Sequence, residues 1–453
     1  MTAVAILGLG TSGVAAARLA LAQGATAYVS DLRTDAPTAA RGAELRQLGA
    51  HVELGAHDLD RIAAASVVVV SPGIPPDAPV LRSLRARGCR WVSEPEFAVR
   101  FFRAPLIAVT GTNGKTTTTL LVAHLLREAG FTVGVGGNVG GGLAPAASDL
   151  ARLDPPPAWF VVEVSSFQLA DTETFAPDIG VLTNLAPDHL DRYADVDAYW
   201  ADKARLFANA TPASRWVLGD QPEVGALVGD RPGARYTFST ARTDGVHAYL
   251  RGDVLTLRLD PEGPEEALLR RNEVPLLGLH NVANALAAAL TARLAGASAE
   301  AQARGLATVR ALPHRMEPVA ERDGVTWVND SKATNVAATV SAVSSAGAPV
   351  VLLLGGTDKG ESLDPLAAVL PGPVRAAVCY GAAGPRFARR LRGVPGLVVE
   401  EVADLAGAVA AARARAEAGD WILLSPAASS FDAFDNYEAR GRRFAELARE
   451  AAA

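Results

Sequence analysis

Short apolar runs alternate with helix-like segments along the whole chain, and this pattern constrains the fold more than any other feature. An apolar run at residues 4–7 is followed by a glycine turn and a helical pattern at 12–22. The run at 106–110 leads in the same way into a helical pattern at 116–129. Strands that alternate with helices build parallel sheets covered by helices. The chain is therefore predicted to be an α/β protein with mostly parallel strands.

The length and the breaks in this pattern predict three domains. A chain of 453 residues holds about three domains at roughly 150 residues each. Breaks near 102–105 and near Leu312 place the domains at residues 1–103, 104–310 and 311–453. A β-ribbon is predicted at 246–269 and an Ala-rich helix at 281–296. The other predicted strands are 28–30, 67–70, 90–92, 133–135, 159–164, 179–183, 326–329, 350–354, 376–380, 398–400 and 421–424.

Composition excludes several classes of protein. The formal net charge of −6 supplies no basic field that would gather nucleic acid. Two cysteines, Cys89 and Cys379, are too few for a disulfide framework or a thiolate metal cluster. The first residues lack the basic segment and cleavage site of a signal peptide, and no run of about 18 apolar residues occurs. We expect a soluble cytoplasmic protein that neither binds nucleic acid nor enters a membrane.

Lysine is scarce, and its few positions are informative. Of 43 Lys and Arg residues, only Lys115, Lys203, Lys332 and Lys359 are lysines. An ammonium differs from a guanidinium in its compact charge, its tunable pKa and its reactive amine. Chance is an equally reasonable explanation for any one lysine. The surroundings of each lysine therefore decide whether a functional role is indicated. Three of the four follow predicted strands, and Lys203 lies near such a loop, on a predicted helix.

The strongest local motif is a phosphate-binding loop. The predicted strand 106–110 runs into Gly111-Thr112-Asn113-Gly114-Lys115-Thr116-Thr117, where a helix begins. Inward backbone N–H groups and a helix N-terminus together bind phosphate. The lysine then reaches the β- and γ-phosphates, and the Thr116 hydroxyl coordinates Mg²⁺. The loop is the shorter GxxGK[ST] form, because Val109 stands where the longer form has glycine.

Candidate metal ligands follow two further predicted strands. Glu163 ends the strand 159–164, where a second oxygen ligand for Mg²⁺ belongs. His189 lies in the loop that follows the strand 179–183, among acidic neighbours. Strand-end glutamates and lone histidines are also common as structural residues. Lys203, on the helix that follows, is equally consistent with a solvated or phosphate-pairing side chain.

Polar loops also follow three strands of the third predicted domain. They contain Asp330 and Lys332, then Lys359, then Ser430. Loops at the carboxyl ends of neighbouring parallel strands form a crevice, here one suited to carboxylate or phosphate. Asn281 at the start of the Ala-rich helix is a candidate ligand residue or simply an N-cap.

The N-terminal glycine loop has two interpretations. Gly8, Gly10 and Gly13 stand between a predicted strand and a helix, with Asp31 eighteen residues beyond Gly13, which fits a dinucleotide fingerprint. The same backbone donors suit any nucleotide diphosphate. A nicotinamide cofactor and a diphosphate-bearing substrate therefore both remain open. The Ser71-Pro-Gly73 turn would close the crevice on its other side.

Taken together, the motifs resemble those of the Mur ligases, ATP-dependent amide-forming enzymes of peptidoglycan synthesis. The segments that carry the resemblance are 111–117, 163–168, 184–191, 280–284, 312–315, 330–335 and 425–432. The resemblance implies a Rossmann-like N-terminal domain, a central P-loop ATPase α/β domain and a C-terminal Rossmann-like α/β domain. The N-terminal loop and the length resemble the branch that adds D-glutamate to UDP-N-acetylmuramoyl-L-alanine. The resemblance implies an enzyme that uses ATP and two Mg²⁺ ions and forms an acyl phosphate. We also expect a monomer.

The resemblance also implies a role for each motif residue. The expected catalytic residues are Lys115, His189, Lys203, Lys332 and Lys359. The expected ATP-binding residues are Gly111, Thr112, Asn113, Gly114, Lys115, Thr116, Thr117, Asn281, Arg315 and Asp330. The expected metal ligands are Thr116, Glu163, His189 and a carbamylated Lys203. The UDP-sugar is expected at Gly10, Thr11, Ser12, Asp31, Arg33, Ser71, Gly73 and Asn138. The amino acid is expected at Thr334, Lys359, Ser430 and Phe431, with Lys332 beside the reacting groups.

Alternatives outside this branch make different predictions. An NAD-dependent dehydrogenase would explain the N-terminal glycine loop but would leave the phosphate loop without a purpose. A nucleotide switch or transport ATPase would release ADP without an amine acceptor. A folate-polyglutamylating ligase shares the ATPase pattern but does not need the UDP-binding layout.

Overall fold

A computed structural model of the chain describes residues 2–140, 142–189 and 192–452. The described residues of Met1–Leu268 and Asn284–Gly305 form one compact unit. Those of Leu269–Ala283 and Leu306–Ala453 form a second compact unit. The α/β class is confirmed, whereas the three domain boundaries stay a prediction. No helix among the described residues combines the length and the apolar character that a membrane span requires.

The N-terminal sheet is parallel, with strand order β3-β2-β1-β4-β5. Its strands are β1 (Ala3–Leu7), β2 (Thr26–Asp31), β3 (His51–Leu54), β4 (Val67–Val70) and β5 (Val92–Ser93). The helices of this region are α1 (Thr11–Ala22), α2 (Ala36–Gln47), α3 (Leu59–Ala63), α4 (Pro79–Ala86) and α5 (Glu94–Val99). The chain order reverses between β1 and β4, and ligands of such sheets bind at this switch point.

The central sheet has the order β14-β13-β12-β11-β10-β9-β6-β8-β7 among the described strands. These strands are β6 (Leu106–Thr110), β7 (Val133–Gly137), β8 (Trp159–Glu163), β9 (Ile179–Leu182), β10 (Arg215–Gly219), β11 (Ala234–Ser239), β12 (Ala248–Arg251), β13 (Val254–Leu257) and β14 (Glu266–Arg270). The helices that follow β6 along the chain are α6 (Lys115–Glu128), α7 (Ala147–Leu150), α8 (Ser166–Ala170), α9 (Val196–Ala204), α10 (Pro222–Val228), α11 (Leu279–Leu294) and α12 (Ala299–Thr308), with 3₁₀ turns at Arg205–Phe207 and Arg271–Glu273. Pairing from β7 to β12 is parallel, and β12 and β13 form an antiparallel ribbon where one was predicted.

The C-terminal sheet has the described order β15-β16-β20-β17-β18-β19. Its strands are β15 (Glu317–Arg322), β16 (Val325–Asn329), β17 (Val350–Gly355), β18 (Val374–Tyr380), β19 (Val398–Glu401) and β20 (Trp421–Leu424). Its helices are α13 (Val336–Ser344), α14 (Asp364–Val369), α15 (Gly384–Leu391), α16 (Leu405–Arg415) and α17 (Tyr437–Ala452). Only the β15–β16 pair is antiparallel among the described pairs of this sheet.

Burial on both faces explains why β17 is an uninterrupted apolar run. Leu352 and Leu354 pack into the core on one face of the sheet, and Val351 and Leu353 pack into the core on the other. Parallel strands covered by helices on both sides have this composition. The carboxyl ends of these buried strands lead into the loops that carry the candidate site residues.

Four strands of the described chain are not predicted by the apolar pattern: β3, β10, β11 and β15. The edge strands β3 and β15 place polar side chains among their apolar ones, so no continuous run marks them. The strand predicted at residues 90–92 is wrong at its start, because only Val92–Ser93 pairs with β4. Pairing at a sheet edge depends on the neighbouring strand, which the local pattern does not contain.

Candidate active site

The phosphate loop forms as predicted between β6 and α6. Gly114 is the N-cap of α6 and has a φ of +80°. A Cβ atom at Gly114 would come within 3.0 Å of the Asn284 side chain, and one at Gly111 would meet the Thr183 hydroxyl equally closely. Glycine is therefore required at both positions by the close approach of neighbouring side chains as well as by conformation.

Hydrogen bonds from the residues after β9 hold this loop in place. Thr183 Oγ1 donates to the Asn113 carbonyl oxygen at 2.6 Å. The Asn184 side chain donates to the same oxygen and accepts from the Asn113 N–H, both at 2.9 Å. β9 is the neighbour of β6 in the sheet, so the loop backbone is anchored at the carboxyl edge, where ligands of parallel sheets bind.

Two lysines converge on the carbonyl oxygen of Gly111. Lys115 Nζ lies 3.1 Å from this oxygen and 2.9 Å from the Thr112 carbonyl oxygen. Lys203 Nζ, carried by α9, lies 2.7 Å from the Gly111 oxygen. Lys203 is 1% exposed, and its Nζ lies 4.6 Å from the centre of the Tyr199 ring. The structure thus joins the scarce lysine of α9 to the phosphate loop.

Burial lowers the pKa of Lys203 well below its ordinary value, and the charge of Lys115 acts in the same direction. Asp188, Glu163 and Asp202 act to raise this pKa but do not overcome the loss of hydration. A buried ammonium is costly unless it is fully paired. Burial therefore shifts the equilibrium of Lys203 toward the neutral amine, and a neutral amine is a nucleophile.

Glu163 ends β8 beside the phosphate loop strand. Its Oε1 accepts a hydrogen bond from Asn138 Nδ2 at 3.3 Å. Its Oε2 is buried and has no hydrogen-bond partner among the described residues. An anionic oxygen in this state suits a hard cation such as Mg²⁺. Thr116, at the start of α6, adds a buried hydroxyl of the same ligand class.

His189 lies against aromatic side chains, with its backbone in the left-handed region at φ +56°. Its ring stands edge-on to Phe167 at 5.0 Å and to Tyr199 at 5.9 Å between ring centres. Its Nε2 is 3.7 Å from Asp188 Oδ2. The motif's last two residues, Leu190 and Asp191, lie outside the described residues.

Across the described ranges, no three His, Cys, Asp or Glu side chains gather as a metal cluster. The predicted metal ligands include two residues of these types, Glu163 and His189, and the prediction adds the Thr116 hydroxyl and a carbamylated Lys203.

The N-terminal loop closes around Asp31. Leu9 N–H donates to Asp31 Oδ2 at 2.7 Å, and the Arg33 N–H donates to Oδ1 at 2.9 Å. The Arg33 guanidinium lies 3.2 Å from Oδ2. Burial acts to raise the pKa of Asp31, but these donors hold it below its ordinary value. Gly8 packs against Ser71, since a Cβ there would come within 3.0 Å of the serine hydroxyl.

The remaining predicted UDP-sugar residues take their positions from the same loop. Gly10 is the N-cap of α1, so Thr11 and Ser12 occupy the first turn of that helix. Gly73 follows β4, across the switch point from them.

In the second unit, Asp330 follows β16 and is buried. Its carboxylate accepts from the Ser425 hydroxyl at 2.9 Å and from the Met316 N–H at 3.3 Å. Burial raises the pKa of Asp330 to about 7. Asn281 is also buried and donates to the Leu277 carbonyl oxygen at 2.8 Å. Arg315 lies in the turn before β15 and is half-buried.

Loops after β16, β17 and β20 carry the residues predicted for the amino acid. Lys332 Nζ lies 4.0 Å from the centre of the Tyr437 ring. Thr357 and Ser429 pair through their backbones, the Thr357 N–H lying 2.7 Å from the Ser429 oxygen. Positions within these loops differ in exposure: Ser430 is buried, Thr334 is half-buried, and Lys359 and Phe431 are exposed.

Three profiles of known protein domains match consecutive parts of the chain. The Mur ligase MurD-like N-terminal domain matches residues 2–93, the Mur ligase middle domain matches 109–292, and the Mur ligase glutamate ligase domain matches 314–428. A UDP-N-acetylmuramoylalanine--D-glutamate ligase of Acidobacterium capsulatum is 40% identical over 98% of this chain and 95% of its own length. The chain belongs to the Mur ligase family. The predicted resemblance and the three-part fold class are thereby confirmed.

A further relative and a solved structure support the family and the fold of this Mur ligase. A protein of the same name from Anaeromyxobacter dehalogenans is 42% identical over 100% of this chain and 98% of its own length. The crystal structure of the MurF ligase from Thermotoga maritima in complex with ADP covers 99% of this chain and 94% of its own, with a TM-score of 0.61 and 15% identity. At that identity the structure supports the fold alone. The N-terminal glycine loop belongs to a MurD-like domain, which leaves the NAD interpretation without support.

Sequence reasoning gave no role to three residues that the structure of this Mur ligase makes prominent. Asn184 anchors the phosphate loop, and its position directly after an apolar strand is a signal that was available. Tyr199 packs against Lys203 from one turn earlier on α9. Arg440 is fully buried on α17, and nothing in its local sequence distinguishes it from the many exposed arginines.

Proposed function

We propose that this chain is an ATP-dependent ligase that adds D-glutamate to UDP-N-acetylmuramoyl-L-alanine, in the synthesis of the peptidoglycan precursor. Relatives that carry the corresponding name match almost its whole length. The structural observation that carries the proposal is the meeting of Lys115 and Lys203 at the Gly111 carbonyl oxygen. A phosphate loop alone is common to many ATPases, but a buried lysine beside it whose pKa is lowered supports a further chemical role.

ATP binds at the phosphate loop in this proposal. The loop from Gly111 to Gly114 and the N-terminus of α6 present backbone N–H groups to the phosphates. Lys115 turns from the loop carbonyls toward the transferred phosphate, where its charge reduces the repulsion between two anions. Thr117 lies in the first turn of α6, and Asn281, Arg315 and Asp330 of the second unit are assigned to the nucleotide.

Two Mg²⁺ ions are assigned to residues whose chemistry fits them. Glu163 Oε2, buried without a hydrogen-bond partner among the described residues, and the Thr116 hydroxyl are the ligands of the first. His189 and carbamylated Lys203 are the ligands of the second. When bound, Mg²⁺ supplies charge neutralisation to the phosphate and acyl oxygens. Asn138 orients Glu163 through its hydrogen bond to Oε1.

The buried environment of Lys203 supports the proposal that this lysine is carbamylated. The neutral Nζ attacks carbon dioxide, a C–N bond forms, and one proton leaves to solvent. The product is an anionic oxygen ligand at a position where an ammonium is disfavoured. An arginine cannot form this group, which explains why lysine persists here in an arginine-rich chain.

The reaction proceeds in two displacements. A carboxylate oxygen of the UDP-linked substrate attacks the γ-phosphorus of ATP, and the bond to the ADP oxygen breaks, which leaves an acyl phosphate. The amine of D-glutamate then attacks the acyl carbon, loses a proton and displaces inorganic phosphate. The chain contributes by holding the reactants, excluding water and neutralising charge.

The substrates are assigned to the loops of the two units. Asp31 and Arg33, with Gly10, Thr11, Ser12, Ser71, Gly73 and Asn138, hold the UDP-sugar. D-glutamate brings two carboxylates, and Lys332, Thr334, Lys359, Ser430 and Phe431 provide cations, hydroxyls and an aromatic face for it. The protein is proposed to act in the cytoplasm as a monomer, which size-exclusion chromatography with light scattering tests.

The experiment that tests the function measures phosphate release with ATP, Mg²⁺, UDP-N-acetylmuramoyl-L-alanine and a panel of D- and L-amino acids. Release that depends on D-glutamate supports the proposal. Release stimulated instead by L-alanine or by diamino acids reassigns the chain within the family. For the carbamate, ¹³C-bicarbonate labelling followed by ¹³C NMR is expected to give a carbamate signal in the parent protein. That signal is expected to be absent in Lys203→Arg.

A further inference from the structure

Arg440 lies fully inside the second unit, in the first turn of α17, with no exposed surface. Its Nε donates to Ser331 Oγ at 3.0 Å. One terminal nitrogen donates to the carbonyl oxygens of Gly355 and Ser429, each at 3.2 Å. The other donates to those of Ser331 at 2.9 Å and Ala428 at 3.1 Å. A guanidinium has five N–H donors, and every one is used.

The acceptors belong to three loops that leave neighbouring strands. Ser331 follows β16, Gly355 ends β17, and Ala428 and Ser429 follow β20. β16, β20 and β17 are adjacent in the sheet. One side chain therefore joins the loops at three consecutive carboxyl ends of the sheet.

Each of these loops also carries a residue assigned to the amino-acid substrate. Lys332 is the next residue after Ser331, and Ser430 is the next residue after Ser429. Lys359 lies in the loop that Gly355 begins. The backbone atoms that Arg440 holds are thus within a few residues of the side chains that would bind the incoming amino acid.

Close packing around Arg440 makes this arrangement rigid. A Cβ atom at Gly356 would come within 3.0 Å of Arg440 Nη1 and of the Ser429 oxygen. The guanidinium plane has a fixed donor geometry, so the relative positions of its acceptors are set together. Because it is buried, any loop that moves away leaves an N–H group without a partner, which is costly.

We propose that Arg440 is a positioning residue for the amino-acid substrate. It fixes the relative positions of the three loops that bear Lys332, Lys359 and Ser430. This inference rests on the proposed function for the identity of that substrate. Arg440 is not itself a catalytic residue, since all its donors are bonded within the chain. Its effect is exerted through the backbone of the loops that it joins.

The test compares Arg440→Lys with the parent protein in steady-state kinetics. An ammonium has three donors and lacks the planar donor geometry of a guanidinium, so the three loops are no longer held in fixed relative positions. We expect the KM for D-glutamate to rise about tenfold or more. The KM for UDP-N-acetylmuramoyl-L-alanine is expected to stay within about twofold, because its assigned residues lie in the other unit. Arg443→Lys, an exposed position on the same helix, is the matched control and is expected to leave all constants unchanged.

A milder variant keeps the inference falsifiable if Arg440→Lys does not fold. Ser331→Ala keeps the guanidinium but removes one of its acceptors, together with the hydrogen bond that Ser331 Oγ donates to the Tyr437 carbonyl oxygen at 2.9 Å. The KM for D-glutamate is expected to rise about two- to fivefold. A purely structural role would lower the thermal midpoint or the active fraction without changing KM. That result, or an equal rise in both KM values, overturns the inference while the proposed function stands.

The assay of the parent protein shows whether a negative result concerns the proposed function or the role of Arg440. If another amino acid replaces D-glutamate in the parent assay, the proposed substrate is wrong, and the KM of that amino acid becomes the test of Arg440. If no amino acid stimulates phosphate release by the parent protein, the proposed function and the inference fall together.

Discussion

The amine of Lys203 donates a hydrogen bond to the carbonyl oxygen of Gly111 at 2.7 Å. This bond joins α9 to the first residue of the phosphate loop, across a sequence separation of 92 residues. Burial lowers the pKa of Lys203, so the group that makes this bond is shifted toward its neutral form. A chemical change at Nζ therefore alters a hydrogen bond to the backbone of the phosphate loop.

Replacement of Lys203 by arginine tests the role of the amine. We expect Lys203→Arg to lower kcat by at least about a hundredfold, because a guanidinium cannot form a carbamate and keeps its positive charge. Because Lys203 is 1% exposed, a charged guanidinium there is costly, so the thermal midpoint is expected to fall, and kcat is compared per folded protein. Arg82→Lys, at an exposed position on α4, is a control for a change of cationic head group. Near-normal turnover by Lys203→Arg would remove the carbamate from the mechanism.

Glu163→Gln tests the assignment of the first magnesium ion. The amide keeps an oxygen for Asn138 but replaces the buried, unpartnered side of the group with a neutral donor. We expect the Mg²⁺ concentration for half-maximal phosphate release to rise about tenfold or more. Glu173→Gln, at an exposed position, should leave the magnesium titration unchanged. Identical titrations for Glu163→Gln and the parent would contradict the assignment.

Gly114→Ala separates close packing from backbone strain. The φ values of Gly114 and Gly130 are +80° and +87°, but a Cβ at Gly130 meets no atom within 4 Å. Both alanine variants therefore carry a similar conformational cost of about 1 kcal/mol. Only the Cβ of Gly114→Ala, in the phosphate loop, also collides with another side chain, that of Asn284 on α11. ATP binding by calorimetry should weaken about tenfold or more in Gly114→Ala and stay normal in Gly130→Ala, and equal affinities would count against the loop geometry.

Glu94 predicts a specific pH dependence of stability. This carboxyl is 1% exposed at the start of α5, where it accepts from the Ser148 N–H. Burial raises its pKa to about 7, and Asp149 acts in the same direction. The folded state therefore binds a proton between about pH 4.5 and pH 7 that the unfolded state has released, so stability falls as the pH rises through this window.

Glu94→Gln removes that loss, because the amide resembles the protonated acid at every pH. Its free energy of unfolding in urea should be close to that of the parent at pH 4, below the window, and exceed it at pH 8 by up to about 3 kcal/mol. Other buried carboxyls are common to both proteins and cancel in the difference. Glu173→Gln should follow the parent at both values. A difference that does not change with pH would show that Glu94 does not titrate in this range.

The local parts of the site could be predicted because each lies within one strand–turn–helix unit. The phosphate loop is an example: Gly111, Gly114 and Lys115 are specified by spacing alone, and the loop forms between β6 and α6 as expected. Lys203 was singled out only by the scarcity of lysine, since nothing in its helix marks it. Its burial, its lowered pKa and its partner at Gly111 come from the packing of α9.

Arg440 marks the limit of sequence reasoning. Its acceptors at Ser331 and Gly355 lie 109 and 85 residues away, and the exposed Arg443 is similar in its local surroundings. The edge strands β3 and β15 show the same limit in the fold, because each is completed by the strand beside it.

The sequence by itself determined the α/β class, the family and the phosphate loop, because periodicity, glycine conformation and helix capping act over a few neighbouring residues. Tertiary structure alone decided which lysine became a buried amine with a lowered pKa and which arginine came to hold three loops together. Burial and long-range hydrogen bonding are properties of the packed chain, and they depend on residues that a local pattern never brings together.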